Sequence, residues 1–60
     1  MKANITIKNT RANKELVKEM KEMINCNYVA YATEIKIEIN SNMAEDQLNA
    51  IIRDFNEMAE

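Results

Sequence analysis

The side chains able to do chemistry are ten carboxylates, eight lysines and arginines, two tyrosines and one thiol. No histidine is present, so no side chain with an ordinary pKa near neutrality is on hand, and neither a Ser-His nor a Cys-His pair can form. Without glycine there is no flexible loop to cradle a phosphate. Glu45 and Asp46 are adjacent carboxylates, yet neighbours on a helix diverge by about 100° and do not converge on one cation. Their ordinary role is to favour a helix N-terminus through its dipole. Cys26 falls at the expected end of a helix, where the dipole raises a thiol pKa, and Lys21 is its nearest aid. It reads as a small buried or half-buried hydrophobe. The expectation is a non-enzymatic protein with no catalytic, cofactor-binding or metal-ligating residue and no cofactor.

Charge is the stronger signal. Residues 1 to 33 carry a balance of +3 and residues 34 to 60 a balance of −5. At 100° per residue, Arg11, Lys14, Lys18 and Lys21 form one stripe of the first helix, Glu15, Glu19 and Glu22 a second, and apolar residues a third. On the last helix Asp46, Asp54, Glu57 and Glu60 lie away from the apolar face, diluted by Arg53. Two functional readings follow. In one, a small protein-binding module uses its acidic helix or an exposed strand edge to occupy a site on another protein, such as a basic nucleic-acid groove. In the alternative, the basic stripe contacts phosphate backbones, against an overall charge of −2 and a lack of clustered aromatics for stacking.

Four elements must position these groups. Lys2 to Lys8 alternates, with Ala3, Ile5 and Ile7 on one face, and predicts a short strand. Thr10 caps a helix whose apolar face is Ala12, Leu16, Val17, Met20, Met23 and Ile24. Tyr28 to Asn40 alternates over a longer stretch rich in β-branched residues and predicts one strand. Asn42 with Glu45 forms a reciprocal cap for a last helix with Ala44, Leu48, Ile51, Ile52, Phe55, Met58 and Ala59 on its apolar face. With no glycine or proline, turns fall to Asn9, Asn25, Asn27, Asn40 and Asn42, which tolerate left-handed backbone.

The predicted fold is a single α/β domain over residues 1–60, a two-layer β-α-β-α sandwich with both helices on one sheet face. The two strands run parallel through a right-handed crossover. The longer strand outruns the first, so it bends or breaks near Ala32 and Thr33 or pairs with another molecule, and a hairpin there is disfavoured for want of Gly or Asn. Two strands are too few for an independent sheet. Self-association through Glu34, Ile35, Lys36, Ile37 and Glu38 across a two-fold axis would complete it, in registers centred on Ile35 or Ile37 that pair Glu with Lys. The predicted core is Ile5, Ile7, Leu16, Val17, Met20, Ile24, Val29, Tyr31, Ile35, Ile37, Leu48, Ile51, Ile52 and Phe55.

Sixty residues bury only about 60 % of their unfolded surface, which makes a partner chain the expected source of added stability, a homodimer by default. No apolar run approaches the roughly 20 residues a bilayer requires, Met1 to Lys8 lacks a signal segment, and one cysteine fits a reducing interior, so a cytoplasmic protein without a membrane is expected. Nine asparagines beside many Lys, Ile and Glu suggest AT-rich codons and a low-GC bacterium or its phage. A regulator or inhibitor carried by a phage or mobile element is the biological expectation. The strand-helix-strand order is similar in architecture to the small tautomerases, but Lys2 stands where their catalytic N-terminal proline would be, which removes the chemistry. The same order with an acidic final helix resembles, in outline only, small DNA-damage-induced modulators of recombination filaments. Neither likeness includes a shared motif, and no residue is carried across.

Overall fold

A computed structural model describes residues 2–60, and Met1 lies outside them. The elements are β1 (Lys2–Lys8), α1 (Arg11–Met23), β2 (Cys26–Ala30), β3 (Glu34–Asn40) and α2 (Glu45–Met58). The predicted α/β sandwich is present, with one element more than the sequence suggested, because the long alternating stretch is two strands. Sheet order is β1-β3-β2, and β3 is antiparallel to both neighbours. β1 and β2 therefore point the same way with α1 returning between them, as the crossover requires, but β3 is inserted between the two and they share no ladder.

The break is at Tyr31 to Thr33, and the hairpin that turn statistics disfavoured does form. Its register pairs Tyr28 with Ile37 and Ala30 with Ile35. Folding back reverses the parity of the alternation, so Cys26, Tyr28 and Ala30 share the inner face with Ile35, Ile37 and Ile39. Val29 and Tyr31, placed in the core by a continuous strand, are instead 56 % and 50 % exposed. The turn needs no glycine because a distant residue holds it. The Tyr31 N–H donates to the Glu34 carbonyl at 2.7 Å, the Asn9 N–H donates to the Thr33 carbonyl at 3.1 Å, and the Asn9 side-chain amide donates to the Tyr31 carbonyl. No described residue has a positive φ, so the asparagines at the turns do not act through left-handed backbone.

β3 is the central strand, hydrogen-bonded on both sides, with Ile37 between Ile5 and Tyr28. That corrects the expected dimer strand: Glu34, Ile35, Lys36, Ile37 and Glu38 have no free edge to offer a second copy. The third strand of the sheet comes from within the chain. The total exposed surface of 4320 Å² is close to the roughly 4,000 Å² of a compact monomer of this mass.

Both helices cover the isoleucine face. Val17, Met20 and Ile24 from the first helical segment and Leu48 and Phe55 from α2 join Ile5, Ile7, Cys26, Ile35, Ile37 and Ile39 in one core, with Leu16, Ile51 and Ile52 partly buried at its margin. The opposite face, with Lys2, Asn4, Thr6, Lys8, Lys36 and Glu38, is exposed, as one-sided antiparallel sheets allow. Thr10 caps α1 as its position predicts, its Oγ1 accepting from the Asn13 N–H at 3.1 Å. The Asn42 and Glu45 cap does not form: α2 starts two residues later than that cap requires, Ala44 is its N-cap without a side-chain bond, and the Ser41 Oγ accepts from the Met43 N–H.

Candidate functional site

Chain direction alternates from element to element, so α1 and α2 lie antiparallel, and their ends are tied by Asn13. Its Oδ1 accepts from the Glu60 N–H at 2.8 Å and its Nδ2 donates to the Lys8 carbonyl at 2.9 Å. Asn13 is 1 % exposed, a buried amide whose hydrogen bonds fix β1, α1 and the C-terminus together. Sequence reasoning overlooked it, although position 13 falls in the middle of the apolar face, where a polar residue is the signal.

Between the helices runs an open groove of about 190 Å³, walled by Leu16, Met20 and Met23 from α1, by Ile51, Phe55 and Met58 from α2, and by Ile24. It forms because each helix turns the flank of its apolar face, not the centre, toward the other. Met20 and Phe55 are buried in the floor, whereas Met23 and Met58 are 77 % and 65 % exposed. Among the large hydrophobic residues these two are the exposed pair on the helical layer, and both border this groove. Glu19 of α1 and Asp54 of α2 line it as well. On the wheel, Glu15 and Glu22 continue the Glu19 side of α1, and Asp46 and Glu57 continue the Asp54 side of α2.

Of the residues predicted for protein binding, Asp46, Asp54, Glu57 and Glu60 are all exposed. Asp54 enters the groove lining; Glu60 instead lends its backbone to Asn13. Asp54 also has the Arg53 Nε at 4.0 Å, in a solvent-facing pair that contributes little. The basic stripe Arg11, Lys14, Lys18 and Lys21 is exposed on the far side of α1. Lys18 pairs with Glu15 at 3.9 Å, and Lys21 sits 5.6 Å from the centre of the Tyr28 ring. On the outer sheet face Lys36 pairs with Glu34 at 3.9 Å and lies over Tyr31, within an open depression of about 520 Å³ that Asn4, Thr6, Asn27 and Glu38 also line. That surface mixes both signs of charge without converging groups.

Cys26 opens β2 and does not end the helix as expected. Burial pushes its thiol above the ordinary range, with the Lys21 ammonium pulling the other way. Among the described residues, no group of three or more Cys, Asp or Glu side chains is arranged to hold a metal ion. No helix there is long and apolar enough to cross a membrane. No family model, curated protein or solved structure matches the chain. The functional reading therefore rests on these surfaces.

Proposed function

We propose that the chain is a non-enzymatic protein-binding module that holds a basic amphipathic segment of another protein in the groove between α1 and α2. The observation that carries this reading is the exposed pair Met23 and Met58 beside Glu19 and Asp54. Methionine is flexible and polarizable, so it adapts to an apolar helix face laid along it. Carboxylates on both sides favour lysine and arginine at the margins of such a helix and penalise an acidic one. Small size and AT-rich composition fit a cytoplasmic regulator or antagonist carried by a phage or mobile element.

A second copy is the other partner class. A two-fold contact through the groove sets Glu19 and Asp54 against their own images, so charge favours a different protein over a homodimer there. The nucleic-acid reading keeps Arg11, Lys14, Lys18 and Lys21, exposed and on one stripe, but Lys18 is already paired with Glu15 and Lys21 already sits on Tyr28.

The test is titration with an amphipathic helical peptide carrying lysines along both margins of a leucine face. Micromolar binding that weakens with salt is expected, as is a loss of tenfold or more in the exposed double variant Glu19→Lys with Asp54→Lys. Equal affinity of that variant, or preference for a glutamate-margined peptide, contradicts the reading. Salt-sensitive binding of single-stranded DNA that Lys14→Glu with Lys18→Glu abolishes would transfer the function to the basic stripe.

A further inference from the structure

We propose that the free edge of β2, lying beside the basic flank of α1, receives an extended acidic segment of another protein as a fourth strand. The hydrogen-bond phase of the ladder identifies the free groups. The Asn40 N–H donates to the Asn25 carbonyl at 3.0 Å and the Tyr31 N–H to the Glu34 carbonyl at 2.7 Å. Odd-numbered residues of this segment therefore face β3, and by alternation the N–H and C=O of Cys26, Tyr28 and Ala30 point away from the sheet. No backbone group outside the sheet pairs with them among the described residues.

The two edges of the sheet are unlike. β1 begins and ends with lysine, a usual guard against strand addition, whereas β2 contains no charged residue. Above the β2 edge the charge shown is that of Lys21. Lys21 lies over the Tyr28 ring and acts on the Cys26 thiol, which fixes this flank of α1 at the strand. Arg11, Lys14 and Lys18 belong to the same stripe, with Lys18 in a solvent-facing pair with Glu15 that contributes little. Pairing two copies of β2 across a two-fold axis would set two such stripes face to face, so the occupant is an acidic chain and not a second copy.

Strand geometry then fixes the pattern of the occupant. In a paired fourth strand, alternate side chains share the helix layer with the lysines and the remainder share the outer face with Val29 and Tyr31, both more than half-exposed or at half. The fitting ligand alternates acidic and apolar residues, with main-chain bonds holding it and the carboxylates selecting it.

The test uses an eight-residue peptide alternating Glu and Val, its Lys and Val counterpart, and amide exchange of the full chain. The acidic peptide is expected to bind at least tenfold more tightly than the basic one and to slow exchange at Cys26, Tyr28 and Ala30 while Asn27 and Val29 stay as they are. Lys14→Glu with Lys18→Glu should cost tenfold or more, and Ala30→Pro, which removes an outward N–H without touching the ladder, should weaken binding with the fold retained by circular dichroism. Equal binding of both peptides, no binding at millimolar concentration, or binding without protection at those three amides overturns the proposal. So does single-stranded DNA that occupies the lysines and leaves edge exchange unchanged. The groove reading is probed with a basic helical peptide, so either proposal can fail alone.

Discussion

Asn13 is the most deeply buried polar side chain among the described residues. Its amide links the end of β1, the first turn of α1 and the C-terminal residue, all from a buried position. Asn13→Leu removes the amide and leaves the Glu60 N–H and part of the Lys8 carbonyl's bonding unmet, at a cost of about 1 to 3 kcal/mol. Since a chain of this length has roughly 3 to 9 kcal/mol in all, urea unfolding should register a large drop in midpoint. A change under half a kcal/mol would deny the amide its role. Asn9→Ala is expected to be milder, about 0.5 to 1.5 kcal/mol, because the backbone bond to Thr33 survives and the Asn9 Oδ1 has no partner to lose. At Cys26 the raised thiol pKa means the folded chain holds its proton after the unfolded chain has released it. Stability therefore falls as pH rises past the ordinary thiol range of about 8.5, and the decline ends once the folded thiol ionises too. Urea midpoints between neutral and alkaline pH should decline more steeply for the native chain than for Cys26→Ala, and parallel declines would remove the thiol from the account.

At the level of elements, what the chain declared locally was legible and what it settled by distant contact was not. Alternation located β1 and β3, and the spacing of Leu16, Val17, Met20 and Ile24 located α1 and its buried face. The hairpin was hidden because its turn, Tyr31-Ala32-Thr33, has no residue that announces one; Asn9, twenty-two positions from Tyr31, supplies the closing bond. A missed turn then moved Val29 and Tyr31 to the wrong face and made the centre of the sheet look like an edge. The groove was half legible: Met23 and Met58 were assigned to apolar faces, but how far each helix rolls from its partner is set by packing and leaves no mark in periodicity. The start of α2 is a place to gain stability. Ala44 has extended backbone and no capping bond, so Ala44→Ser or Ala44→Asp should add about 0.5 to 2 kcal/mol, measured as a higher unfolding midpoint. No gain would mean that the first turn is already satisfied by other groups.

Over the whole molecule, charge of each sign borders a different open surface. Glu19 and Asp54 line the groove where α1 and α2 meet, and Lys21 of the basic stripe lies over Tyr28 at β2. The uncharged β2 edge leaves backbone groups open to solvent, and the groove leaves large apolar side chains open to it. Each is bordered by charge that favours a partner of opposite sign and opposes a second copy. Smallness by itself suggests self-association; the internal hairpin supplies a third strand, and on the proposed reading the open surfaces serve other proteins. Methionine methyl resonances test the groove most directly, because Met23 and Met58 border it while Met43 lies in the β3–α2 connection. On addition of the lysine-margined amphipathic peptide, the Met23 and Met58 methyl signals should shift together and saturably, with Met43 unmoved and the shifts lost in Glu19→Lys with Asp54→Lys. Shifts at Met43 alone, or none at Met23 and Met58 while the peptide binds, would contradict the account.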